Sequence, residues 1–466
     1  MKTVHFKLIK KILLGLIALI ISLFIIGYLA FYFLVQTNLD YYKNELVEII
    51  SKETNKKVTI ETFDANWNIT NPQFVIKNFS IYANTSEKTF TLKKFEVDVS
   101  WMSLLKFELI LDQVTLYDLA LEIQKDNETD YLIGGWKVSY DPNSNDEFDG
   151  KLINWILNQD EVQMINAKIT WIDKTRANSP PLILSDMNLS YSTSDILSYL
   201  DRHTFYLDFF SSAGTKEKIS LSGHFDADSI DELLKGDGAL SFKFNDLNLY
   251  AFSPWINYPL VIKDGIGSLS INVEFANGKL KEGGSIFSVK DLNANTIENG
   301  RQGLVFNEIN GEINLKLIGD DINIILDNLF LTTNSKLQFE DSAASIKYNL
   351  QANQINKLTL MVDRFDLGSV KEISNQFLPE EHRVNEVINE LSAKGEIDDF
   401  KLKWHRTADE ELPSLKLEAN LLEIQINEFE NFPGLKNVTG EVKIENEKGI
   451  IRSVSRDLVI TKKNVF

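Results

Sequence analysis

Residues able to do acid–base or covalent chemistry are few in this chain, and their spacing suits no reaction. Of the five histidines, His5, His203, His224, His382 and His405, none forms an H-x-x-x-H or H-E-x-x-H pair, so no zinc-binding helix face is encoded. Cysteine is absent, which removes thiolate nucleophiles, disulfides and Cys-ligated metals while leaving the redox compartment open. Gly265 and Gly267 begin a G-x-G-x-x-G, but Ser270 stands at its third place, and neither a Walker A nor a G-x-S-x-G motif occurs. The acid pairs Asp320-Asp321 and Glu380-Glu381 read as solvated turns or helix starts. No enzyme is expected, and no metal or organic cofactor. What does recur is apolar. Phe95, Val97, Val99 and Trp101 alternate with Glu96, Asp98 and Ser100, and Leu269, Ile271, Val273 and Ile322, Ile324, Leu326 are likewise two apart. Side chains two apart on a strand share a face, so these ten residues are the candidate site: an apolar surface that solvates a second sheet or an apolar ligand. Trp67, Trp101 and Trp171 read as core residues, or as wall where the face is open.

The segments that must carry this surface begin with a membrane anchor. Ile12 to Val35 contains no charge, and at about 1.5 Å per residue a helix of that length covers a hydrocarbon core of about 30 Å with some tilt. Lys2, Lys7, Lys10 and Lys11 precede it without an acid, and Asp40, Glu45 and Glu48 follow it against Lys43. The positive-inside rule therefore places the N-terminus in the cytoplasm and the rest beyond the membrane, with Tyr28, Phe31, Tyr32, Phe33, Tyr41 and Tyr42 as the outer aromatic belt. A cleaved signal peptide would have a shorter apolar core ending in a small-residue site, and neither feature is present.

Leu39 to about Glu53 then carries Leu39, Tyr42, Leu46, Ile49 and Ile50 at helical spacing, an amphipathic stalk. From Val58 the period changes to two and persists almost to the end: Phe107, Leu109 and Leu111, then Val114 and Leu116, then Leu119, Leu121 and Ile123, and many later runs. About 25 strands are expected at ordinary strand lengths. Helices are expected only at Leu152–Asn158, Ile230–Leu234, and Val370–Phe377 with Val384–Leu391, the last two separated by Pro379. Two short patterns recur. Asp-[Leu/Met]-Asn occurs at Asp186, Asp246 and Asp291, and Gly-x-apolar-x-apolar at Gly267, Gly311 and Gly440. They read either as turn-plus-strand units of a repeating sheet or as ordinary hairpin chemistry.

With 44% hydrophobic and 11% aromatic residues the chain must bury much apolar surface, and its helices are too few to cover such a sheet. Two sheets close into a sandwich, or one long sheet curls into a gutter that meets a hydrophobic ligand. The net charge is −19, and −23 once the four lysines of 1–11 are set aside, so nucleic acid is excluded as a partner.

The order of anchor, short helix, Val58-Thr59-Ile60, Trp67 and Pro72-x-Phe74-x-Ile76-x-Asn78 resembles the N-terminal signature of the AsmA-like family. The run Val97-Asp98-Val99-Ser100-Trp101-Met102-Ser103-Leu104-Leu105, followed by Leu116 to Ile123, fits it as well. Later stretches are similar to its YhdP branch: Leu152–Leu157, Ala167–Trp171, Pro181–Leu189, the helical interruption after Asp366-Leu367-Gly368, and Gly395-Glu396-Ile397 leading to Leu402-Lys403-Trp404. The resemblance spans nearly the whole chain. It implies a mainly β protein of the bacterial inner membrane: a transmembrane helix, then a long, curled antiparallel β-sheet groove, taco-like, with a few short helices. The implied organisation is a basic cytoplasmic tail at 1–11, the anchor at 12–35, the stalk at 36–57 and the periplasmic groove at 58–466. Such a protein would bind phospholipids and move them between the inner and outer membranes, supporting the outer-membrane barrier. The alternative is a scaffold or assembly factor that binds outer-membrane or periplasmic proteins by strand addition. Members of the branch are expected to be much longer, which would make this chain the inner-membrane end of the conduit.

Overall fold

The computed structural model describes residues 14, 18–19, 21–22, 25–68, 71–82, 88–100, 103, 110–134, 136–139, 157, 159–177, 179–196, 200–227, 235–258, 260–296, 304–334, 338–377, 383–406, 413–429, 433–446 and 448–462. Trp101, Phe107 and Leu109 lie outside these, as do the expected helix at Ile230–Leu234 and all of Leu152–Asn158 except Leu157, which is helical. By contacts the chain divides into two compact units, Met1–Phe209 with Asp228–Ile230, and Phe210–Ala227 with Asp231–Phe466.

In the first unit the described positions from Leu14 to Leu34 are all helical. A 3-10 turn at Gln36–Asn38 leads into α1 (Leu39–Thr54), which ends on Asn55 in the left-handed conformation, its N–H donating to Ser51 O. Among the described residues no helix is long and apolar enough to cross a membrane. Ten strands follow: β1 (Lys57–Thr59), β2 (Thr62–Asn68), β3 (Asn71–Tyr82), β4 (Lys88–Val99), β5 (Leu111–Lys125), β6 (Asp130–Ile133), β7 (Trp136–Ser139), β8 (Glu161–Asp173), β9 (Leu182–Ile196) and β10 (Leu200–Ser211). β1 and β2 both pair with β3, and β3–β4–β5 and β8–β9–β10 are sequential neighbours. One junction departs from the expected all-antiparallel meander. β6 pairs with the last residues of β5, Ile123 to Lys125, beyond the Leu121 where β4 stops, and β8 then runs parallel to β5 from Val114↔Val162 to Lys125↔Asp173. Side-chain alternation is the same in parallel and antiparallel strands, so the sequence pattern carries no sign of this.

The second unit holds β11 (Ile219–Asp226), β12 (Gly238–Asn248), β13 (Leu260–Ala276), β14 (Lys279–Thr296), β15 (Leu304–Ile318), β16 (Asp321–Thr333), β17 (Gln338–Asn349) and β18 (Gln354–Asp366). After α2 (Leu367–Phe377) and α3 (Arg383–Leu391) come β19 (Lys394–His405), β20 (Ser414–Ile426), β21 (Gly434–Glu445), β22 (Lys448–Ser453) and β23 (Val459–Thr461). Each of β11 to β21 pairs antiparallel with the next, and β21 takes both β22 and β23. The helix pair ends where expected, at Phe377 and Leu391, and begins earlier, at Leu367 rather than Val370 and at Arg383 rather than Val384. Asp366 Oδ1 accepts from the N–H of Ser369, 2.9 Å away, and from its hydroxyl, which caps α2, and Ser374 donates to Asn385 to tie α2 to α3.

The recurrent short motifs are neither turns nor strand openings. Asp186, Asp246 and Asp291 lie inside β9, β12 and β14 with φ of 47°, 47° and 51°, and other strands carry the same feature at Asn78, Asp118, Asn166, Asn328, Asp341, Asp399, Glu423 and Asn437. Each is a left-handed residue within a strand, and register shifts flank many of them. Asn and Asp are the non-glycine residues that tolerate this conformation best, which explains why they recur here. The residue after the kink points inward. Leu119, Ala167, Met187, Leu247, Ile424 and Val438 are all buried. The kinks therefore flip the alternation by one: in β5 the inward residues run Val114, Leu116, then Leu119, Leu121. Two apparent strands of the sequence pattern are one strand of 15 residues.

In the first unit the kinks line up. Lys93 bridges Asp118, Asn166 donates to Asp118, the Asn166 N–H donates to Asn188 Oδ1 at 3.1 Å, and Asn188 Nδ2 donates to Asp208 at 2.9 Å. Beneath this polar line, Leu92, Leu119, Ala167 and Met187 form a core joined by Phe79, Phe95, Leu116 and Met164. A second core, Ile397, Ala419, Leu421, Ile424 and Val438, sits under the start of α2 with Leu367 and Phe365.

Candidate functional site

The pairing registers place the two unit-two runs of candidates on one face. Val273 stands opposite Gly283, Gly283 opposite Leu315, and Leu315 opposite Ile324. The row continues through Ile346, Leu358 and Trp404 to Leu415 and starts at Leu240, so it crosses β12 to β20 with no polar side chain. A neighbouring row joins Phe242, Ile271, Ser285, Ile313, Leu326, Ala344, Leu360, Leu402 and Leu417. Leu269 pairs with Phe244 and Phe287, and Ile322 with Leu317 and Tyr348, on the same face.

One residue along each strand, the opposite face is charged. Glu274, Glu282, Lys316, Asn323, Lys347 and Lys357 are successive partners. Lys281 Nζ lies 3.0 Å from Glu274, Lys316 Nζ 3.3 Å from Glu282, and Lys347 Nζ 2.8 Å from Asp321. The hydrogen bonds from Lys347 and Asn349 hold the Asp321 carboxyl below its ordinary range, and the bond from Lys281 does the same for Glu274. The sheet is thus amphipathic across β13 to β18.

Its apolar face is open. Among the described residues of strands β12 to β18 the buried side chains are Leu247, Ala294, Phe306, Thr333, Ser342 and Val362, and Leu247, Ala294, Thr333 and Ser342 follow the left-handed Asp246, Asp291, Asn328 and Asp341 of their strands. In the apolar rows, by contrast, Leu269, Ile271, Val273, Ile322, Ile324 and Leu326 are only half-buried and Leu240 and Ile313 are 37% exposed. A face closed by a second sheet would bury such residues.

The unit-one candidates have a different setting. Val97 pairs with Val114, Val114 with Val162 and Val162 with Tyr191, and all four are buried. Phe95 belongs to the Leu92 core, while Val99 lines a cavity at the end of the sheet. Trp101 lies outside the described residues.

That cavity, of about 240 Å³, is bounded by Gly27, Ala30, Phe31, Leu34 and Val35 of the N-terminal helical stretch and by Trp67, Pro72, Val99, Ser100 and Ser103. A second, of about 380 Å³, lies between α1 and the sheet against Val35, Tyr42, Glu45, Leu46, Ile49, Phe63 and Phe74. Phe31 packs edge-to-face on Trp67 and Phe74 at 5.4 and 5.9 Å, and Tyr28 on Trp67 at 5.3 Å. Burial of Phe31 is exceptional in its stretch, since Ile25, Ile26, Leu29, Phe33 and Leu34 are all exposed. Sequence periodicity gave no sign of this aromatic junction.

Among the described residues, those that suggested chemistry form no site. His203 is 1% exposed with Nδ1 2.7 Å from Tyr191 Oη and 3.1 Å from Thr193 Oγ1, a packed polar link between β9 and β10. His224 and His405 sit in strands paired with Ala239 and Lys357, and His382 lies outside the described residues. Gly265 and Gly267 are inside β13, not at a strand-to-helix turn, and a Cβ on Gly267 would stand 2.9 Å from Leu249. Among the described residues no three His, Asp or Glu side chains converge as a metal site.

A comparison with curated proteins returned no match. The family model described as YhdP protein matches residues 1–466, the entire chain. The chain thus belongs to the YhdP family.

Proposed function

We propose that this chain is a membrane-anchored carrier that binds phospholipid acyl chains on the open apolar face of its sheet and conducts them between the inner and outer membranes of a bacterium. The anchor is the uncharged run at 12–35, whose described residues expose leucine, isoleucine and phenylalanine outward, with 1–11 in the cytoplasm and the sheet in the periplasm. One observation carries the reading: two adjacent apolar rows crossing β12 to β20, one without a polar side chain and the other with Ser285 alone, backed by charge and left half-exposed.

The energetics require that continuity. At about 0.8 kcal/mol per buried CH₂, an acyl chain of about 16 carbons leaving the bilayer forfeits on the order of 13 kcal/mol unless apolar surface replaces the hydrocarbon along its path. The two rows supply such a surface, and the lipid headgroup stays in water at the open side. Leu269, Ile271, Val273, Ile322, Ile324 and Leu326 would contact the chains, and within the first unit Phe95 and Val97 would pack the core of its sheet while Val99 would line the cavity beside the N-terminal helical stretch. No residue is assigned a catalytic role. The test is purification of the full chain in mild detergent with mass spectrometry of whatever lipid stays bound: phospholipid at one or more molecules per chain supports the reading, and a lipid-free protein that remains folded opposes it.

A further inference from the structure

We propose that the two cavities flanking Phe31 form one bipartite site for a diacyl lipid, each cavity receiving one chain with the Phe31–Phe74 pair standing between them. This deepens the carrier reading and rests on it.

The separation is visible in the linings. Val35 borders both cavities, Phe31 faces the smaller and Phe74 the larger, and the two rings meet edge-to-face at 5.9 Å. Phe63 stacks on Phe74 at 5.8 Å, extending the partition on the α1 side. Ligand pockets run from about 300 to 1,000 Å³, so cavities of about 240 and 380 Å³ are each too small for a whole diacyl lipid but suited to part of a single chain.

The occupant follows from position and chemistry. The smaller cavity takes Gly27, Ala30, Phe31 and Leu34 from the exposed apolar helical stretch at 25–34, so the hydrocarbon that surrounds that stretch reaches it directly, and Val35, the next residue, borders both cavities and carries the same surface on to the larger one. No Lys or Arg lines either cavity, so the lipid's tails are held here and its phosphate is not. Glu45 and the Tyr42 hydroxyl, which donates to Leu34 O at 3.3 Å, are the polar groups on the larger side.

The experiment uses the full chain in bilayer nanodiscs containing dipalmitoyl phosphatidylethanolamine and its single-chain lyso form, with a photocrosslinking residue at Leu46 for the larger cavity or at Ala30 for the smaller. The diacyl lipid should be captured from both positions. Ala30→Trp fills the smaller cavity at an exposed helix position, and it should lower diacyl capture from position 46 by at least about tenfold while leaving lyso capture unchanged. Phe31→Ala removes the partition, and it should bring the diacyl-to-lyso capture ratio at position 46 close to one even if the Trp variant does not fold. Unchanged diacyl capture in Ala30→Trp, an equal fall for both lipids, or an unchanged ratio in Phe31→Ala would overturn the bipartite site. A crosslinker at Ile271 separates the two levels. Capture there with none at positions 30 and 46 removes this site and leaves the carrier reading standing, whereas no capture anywhere removes both.

Discussion

Ile324→Asp and Leu247→Asp place the same charge on the same sheet in two environments. Ile324 is half-buried in the apolar row of β16, and Leu247 is 5% exposed just past the kink of β12. Full burial of such a side chain is worth about 1.5–3 kcal/mol, and Ile324 realises only part of it, so its loss costs on the order of 1 kcal/mol while the carboxylate remains in water. At Leu247 the lost transfer energy and the cavity come to about 2–5 kcal/mol, and the unpaired buried carboxylate adds several more. That total rivals the whole stability of an ordinary domain, about 5–15 kcal/mol. In thermal unfolding of the detergent-purified full chain, Ile324→Asp should lower the midpoint by about 2–4 °C, and Leu247→Asp should abolish the cooperative transition of its unit. In cells lacking the native protein, Ile324→Asp should accumulate normally and fail to restore the outer-membrane barrier to detergent. Equal collapse of both variants would mean that the row around Ile324 is covered, and the open-face reasoning would fail.

The kinks give a second expectation. Asp246→Gly should stay within about 1 kcal/mol of the parent in urea unfolding, whereas Asp246→Val should cost at least about 1–2 kcal/mol more, because the left-handed conformation penalises a Cβ-branched L-residue. Equal stability of the two would show that Asp246 does not fix the kink. Asp321, held below its ordinary pKa by Lys347, contributes stability that is complete above the usual carboxylate range and is lost as pH falls through the depressed value. Lys347→Met should move the Asp321 titration, read by carbon-13 NMR, upward toward the ordinary range, and no movement would remove the ion pair as its cause. A reporter active only in the periplasm should be active when fused after Asp40, and activity of a cytoplasm-only reporter there would reverse the topology.

Much of the strand content was legible because alternation is a direct consequence of a half-buried strand. What alternation could not convey is where a strand ends. The slip from Leu116 to Leu119 reads as a boundary, yet it is the left-handed Asp118 inside β5. The Asp-Leu-Asn pattern invited a hairpin reading for a related reason, since residues that accept positive φ serve turns and in-strand kinks alike, whereas the glycines of the Gly-x-apolar pattern at 267 and 311 have no positive φ and serve close approach of neighbouring side chains. Gly440 shows the second use. A Cβ there would stand 1.9 Å from the Arg452 carbonyl oxygen, so glycine is required by close approach of β22. The candidate face was legible as a set of apolar residues but not as an open or a covered one. Val97 and Ile324 share the same local pattern, yet one is buried among Val114, Val162 and Tyr191 and the other is half-exposed, a difference made by distant chain. The contact of Phe31 with Trp67 and Phe74 joins a helix to a sheet, and no periodicity within either segment encodes it.

The central claim is that one face of the unit-two sheet carries lipid. Photocrosslinking residues at 271 and 324, on the apolar face, and at 270 and 323, on the charged face, would be irradiated in living cells and the adducts identified by mass spectrometry. The account predicts phospholipid adducts from Ile271 and Ile324 and none above background from Ser270 and Asn323. Equal labelling from both faces, or protein adducts alone from positions 271 and 324, would contradict it.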